Sequence, residues 1–175
     1  MDYIYILSQI LIVISTTIFV FSLQLNDKNK ILFFQIFSTV FFFSHFYLLN
    51  ETVASLFALL SIFRLIVFYY LEKKKRMDLQ KALALLVIVL FVIPSIITWQ
   101  GVADFFPFSS FIMVTFLLGF SSLSKIKLGF LYQGLSFVIY MILIGSIFGI
   151  ITQLFVFFGA LRGYISYNKR KLAAF

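Results

Sequence analysis

The chain of 175 residues is 63% hydrophobic and only 11% charged, with a mean hydropathy of +1.11. A soluble domain is nearer 45–50% apolar and about 25% charged, so a water-soluble globule is excluded and the whole chain reads as one polytopic membrane domain. The net charge of +8 falls in short clusters between apolar stretches, which is the pattern of membrane topology and not of a nucleic-acid partner; the absence of cysteine excludes disulfide and thiol chemistry.

A spanning helix takes about 20 mostly apolar residues. Seven stretches fit: Tyr3–Leu23, Ile31–Leu49, Thr52–Leu71, Ala82–Thr98, Asp104–Leu123, Leu128–Ile144 and Gly149–Tyr167. No basic n-region opens the first and no small-residue cleavage site follows it, so it is expected to be a retained span. Pro94 is expected to kink the fourth. The last two form one long apolar run, which we divide at Gly145-Ser146.

Two of the 14 basic residues, Arg64 and Arg162, lie within spans. The others sit in four segments: Lys28 and Lys30; Lys73, Lys74, Lys75, Arg76 and Lys81; Lys125 and Lys127; Lys169, Arg170 and Lys171. The alternate segments, around Asn50-Glu51, Gln100–Asp104 and Gly145-Ser146, carry none. This asymmetry predicts an outside N-terminus and a cytoplasmic C-terminus in a bacterial inner membrane.

Arg162 follows Arg64 by 98 positions, and the same shift relates Thr17 to Thr115, Gln35 to Gln133 and Ser38 to Ser136 without a gap. Polar residues are scarce within the spans, so these matches outweigh the many apolar ones. Spans one to three are therefore expected to repeat as spans five to seven, in parallel, with span four as the inverting linker (3+1+3). The divisions are 1–76, 77–101 and 102–175. The fold class is all-α, a seven-helix membrane protein. Parallel repeats are one of the recognised transporter plans.

Intramembrane arginine is costly, about 2.5–3.5 kcal/mol at a helix centre on insertion scales, and marks a functional site unless it snorkels to the interface. Two arginines facing one cavity favour an anion, a carboxylate or phosphate held by the guanidinium fork. Thr17, Gln35, Ser38, Arg64, Thr115, Gln133, Ser136 and Arg162 are thus the candidate substrate-binding layer. The competing reading is helix-to-helix bonding by the neutral groups and snorkelling by the arginines. His45, the one histidine, is a weaker candidate for proton coupling, set against a packed histidine bonded to a backbone carbonyl. The run Glu72-Lys73-Lys74-Lys75-Arg76 suits anionic lipid headgroups as well as topology. No metal-ligand cluster, phosphate loop or nucleophile motif occurs, so neither a cofactor nor an enzymatic activity is expected.

His45-Phe46 with Leu48-Leu49-Asn50, and Ala58-Leu59-Leu60-Ser61-Ile62-Phe63-Arg64 in span three, resemble the YgjV-like family of bacterial inner membrane proteins. The span plan resembles the SWEET/PQ-loop superfamily. The resemblance implies a transport-like scaffold. SWEET-type spans are proline-hinged and carry Pro-Gln pairs, whereas this chain has only Pro94 and Pro107 and no such pair; no sugar chemistry is carried over. The expected function is membrane transport of a small polar or anionic metabolite by alternating access of the two halves. The alternative is a receptor or scaffold of the same fold that moves nothing.

Overall fold

The computed structural model describes residues 3–99 and 101–173, and the side chains of residues 52 and 53 are set aside. Gln100 thus lies outside the described residues. Seven helices form: α1 (Tyr3–Gln24), α2 (Lys28–Leu48), α3 (Thr52–Lys73), α4 (Met77–Ile97), α5 (Phe105–Phe120), α6 (Leu123–Leu143) and α7 (Ile147–Leu172). A 3-10 turn, Val102–Asp104, precedes α5. All seven spans are long and apolar enough to cross a membrane, and the described residues contain no strand.

The helix ends depart from the hydropathy bounds where local chemistry overrides them. Asp27 starts α2 early, because its side chain accepts from the Lys30 amide as an N-cap. The fifth span stops at Phe120 because Ser121 and Ser122 turn extended. α6 then begins at Leu123, so Lys125 and Lys127 lie within a helix and not in a loop. α4 starts at Met77 and continues through Pro94 to Ile97. Pro94 lacks an amide to donate back one turn, which confines its cost to the last turn.

Each helix packs on its neighbours in chain order, and α7 returns to α1 to close a ring. The buried core runs through Leu23, Leu32, Leu65, Phe68, Leu118, Ile126 and Phe130. It occupies the half of the bundle nearer the basic segments, the basic end. There Lys28 Nζ also meets Glu72 at 2.6 Å, tying the start of α2 to the end of α3.

In a membrane, small residues and interhelical hydrogen bonds hold helices together, since lipid is as apolar as leucine. Two seams show this. Ser8, Ser15 and Ser22 are all buried on α1 at seven-residue spacing, opposite His45, Ser38 and Ile31 on α2, themselves seven apart. A seven-residue repeat keeps one seam facing its partner along a left-handed crossing. At its middle the hydroxyls exchange bonds with opposing carbonyls, Ser15 Oγ to Ser38 O at 2.8 Å and Ser38 Oγ to Ser15 O at 2.9 Å. At its far end His45 Nδ1 lies 2.8 Å from Ser8 O.

The second seam joins α7 to α1 through Gly159-Ala160-Leu161-Arg162-Gly163. A Cβ at Gly159 would press on Val20 and one at Gly163 would overlap the Leu23 carbonyl oxygen. Gln24 Nε2 donates to Gly159 O at 2.9 Å across the same contact. This is the small-xxx-small approach of membrane helices. Gly163→Ala is expected to force α7 off α1 and destabilise the protein by about 1–3 kcal/mol, read as a fall in melting temperature of the purified protein; an unchanged melting temperature would show that the seam is not close-packed.

Candidate functional site

Arg64 is 6% exposed, although it lies about 14 Å of helix rise from Lys73 at the basic end. Its guanidinium turns into the bundle instead of running along α3 to the interface. Nη1 donates to Thr115 Oγ1 at 2.6 Å, and Cζ sits 4.3 Å above the Phe111 ring. Both partners are on α5, one turn apart. The Thr115 hydroxyl spends its own proton on Phe111 O at 2.7 Å, so it meets the arginine as an acceptor. Phe111 in turn stacks on Phe91 of α4, which meets Phe57 of α3. Three helices therefore contribute to the aromatic packing beside this one cation.

What the cation lacks is a counter-charge. Asp27, Glu51, Glu72, Asp78 and Asp104 all sit at or beside helix ends, and among the described residues no carboxylate forms an ion pair with Arg64. Its buried Nε has no partner. The α2–α3 register, fixed by Lys28 with Glu72 and Phe33 with Tyr69, puts Gln35 level with residues 65–67. Gln35 is 2% exposed, and its Nε2 is likewise a buried donor without a partner. The guanidinium with its unpartnered Nε, and the unpartnered Gln35 Nε2, lie at one level of the bundle, and donors of this kind suit an oxyanion.

The remaining members of the expected layer are placed unequally. Ser38 is spent on the α1–α2 seam. Ser136 is buried on α6, and Gln133 is half-buried with its Oε1 unpartnered. Arg162 and Thr17 are exposed, and the Thr17 hydroxyl bonds back to Val13 O of its own helix. The two arginines therefore do not face one cavity. The reason is local. α4 packs between α3 and α5, and Arg64 reaches Thr115 and Phe111 of α5, whereas α7 lies directly on α1 through Gly159 and Gly163, and Arg162, one position from Gly163, is turned off that contact.

His45 has the geometry of a seam residue: its Nδ1 faces a backbone carbonyl, which can only accept, so the proton is on Nδ1. Phe43 lines an open groove with Tyr47, Ser55 and Leu59 at the end of the bundle opposite the basic segments. The residue that the sequence did not flag is Lys127. It is 2% exposed, its Nζ donates to Leu23 O at 2.7 Å, and it lies 5.7 Å from the Tyr167 ring. A lysine near a span boundary looks like any topogenic lysine, and nothing in the hydropathy pattern shows that it turns inward.

Thr115→Val keeps the shape of the site but removes the acceptor of Arg64. It is expected to lower stability by about 1–2 kcal/mol, whereas Thr17→Val should stay within about 0.5 kcal/mol. Thermal unfolding of the two variants side by side checks this, and equal effects would show that the Arg64 bond carries no stability.

Residues 6–171 match the model of the Imp-YgjV family, described as bacterial inner membrane protein. No curated protein and no solved structure matches the chain. The matched region contains all seven helices nearly end to end, and with them Arg64, Thr115, Gln35 and Lys127. The chain belongs to the Imp-YgjV family of bacterial inner membrane proteins.

Proposed function

We propose that the protein carries a small polar, singly charged anion across the inner membrane, by alternating opening of two halves around Arg64. The halves are α1–α3 and α5–α7, parallel repeats joined by α4, on the plan that the SWEET/PQ-loop resemblance implies. The observation that supports this reading is the buried guanidinium without a carboxylate, bonded from α3 of one half to Thr115 of the other. A charge in that position is tolerated in membranes chiefly on substrate and ion pathways.

One buried arginine, with Arg162 exposed, narrows the ligand. A single positive charge balances a monoanion; a dianionic phosphate would bring a second charge into a medium that penalises it. Gln35, level with Arg64 in the bundle, supplies a neutral donor, its buried Nε2. The exposed run Lys73, Lys74, Lys75 and Arg76 faces the cytoplasm in this reading, with the N-terminus outside, and meets anionic lipid headgroups.

The test is uptake of small monocarboxylates by liposomes that contain the purified protein. Uptake by the parent protein, at least about ten-fold lower in Arg64→Gln and within about two-fold in Arg162→Gln, is expected from the loss of one charged hydrogen-bond donor. Equal uptake by parent and Arg64→Gln would refute the assignment. Binding without uptake by any member would favour the receptor reading of the same fold.

A further inference from the structure

We propose that Lys127 is the lock of the cytoplasmic gate, closing the bundle by clamping the end of α1 against α6 and α7. The inference rests on the transport reading for its purpose, but the clamp itself is geometric. Leu23 is in the last turn of α1, where carbonyls have no partner within the helix. These groups also carry the negative end of the helix dipole. Lys127 of α6 reaches one of them with a buried ammonium at 2.7 Å, and Gly163 of α7 closes on the same carbonyl. Gln24, the next residue, donates to Gly159 O. Every one of these contacts runs between the proposed halves.

Three features mark the clamp as releasable and not as a permanent staple. The ammonium has three protons to donate, and one protein acceptor takes one of them. Lys127 lies about 6 Å of helix rise from the start of α6, so a small displacement returns the charge to water and restores its full hydration. At Gly163 the contact with α1 is backbone against backbone, so that end of α7 separates from Leu23 without unlocking a side chain. Behind the clamp lie Ile126, Phe130, Leu118 and Ala160, all 2% exposed or less, which is the apolar plug that an opening gate would uncover.

The native chain has no cysteine, so single cysteines report accessibility cleanly. Ala160→Cys probes the plug behind the clamp, and Ala58→Cys, buried in α3 toward the opposite end, serves as the control. Inverted vesicles are treated with a membrane-impermeant maleimide from the cytoplasmic face. Replacing Lys127 by Met is expected to speed labelling at position 160 by about ten-fold, the worth of one charged hydrogen bond, and to leave position 58 within about two-fold. Lys127→Arg, which keeps a cationic donor, should label slowly at position 160. An unchanged rate at position 160 overturns the proposal, and so does equal acceleration at both positions, which would make Lys127 a structural staple. The assay uses no substrate, so a gate that opens in a protein with no uptake would sink the transport reading and leave the lock standing.

Discussion

A guanidinium held inside an apolar bundle without a carboxylate is the constraint to which the rest of this structure answers. Its insertion costs about 2.5–3.5 kcal/mol. The protein returns part of that through one charged hydrogen bond to Thr115 and the face of Phe111, a cation–π contact worth about 0.5–2 kcal/mol. Neither partner carries a negative charge. The arrangement holds Arg64 in place without neutralising it, unlike the half-buried ion pair of Lys28 with Glu72.

The ring around Arg64 is asymmetric, and the asymmetry follows from a single helix. α4 inserts between α3 and α5, so Arg64 must reach beneath it to Thr115. No helix is inserted between α7 and α1, which meet directly on glycine. One junction is therefore polar and aromatic and lies within the helices; the other is close-packed along α1, with Lys127 and Gln24 meeting backbone carbonyls near the basic end. The two cations that are buried among the described residues are thus differently engaged. Arg64 faces the middle of the bundle with free donor capacity, while Lys127 is engaged on the backbone at its rim.

The seven helices were legible in the hydropathy because each needs a long run of apolar residues to face lipid. Their ends were less so: Asp27 capping α2 and Ser121-Ser122 ending α5 are local backbone events that a mean hydropathy does not register. Arg64 stood out in the sequence because charge is so rare in these spans, and the structure buries it. Its separation from Arg162 was not, because a shift of 98 positions compares residue types and not environments. A hint was present in the neighbours, Leu65 after one arginine and Gly163 after the other. Gly159 with Gly163, and the serines at 8, 15 and 22, are spacings that a helical-wheel reading would have assigned to seams. Lys127 had no such signal, since its burial depends on where the end of α1 falls.

The central claim is that Arg64 holds an anion, and ligand-dependent melting of the purified protein reads it most directly. At constant ionic strength, the parent protein and Arg162→Gln are predicted to melt at rising temperature as a small monocarboxylate is added, reaching about 2.7 kcal/mol of stabilisation at a hundred-fold excess over its dissociation constant. Arg64→Gln is predicted to show none. Stabilisation of equal size in Arg64→Gln and the parent would contradict the account.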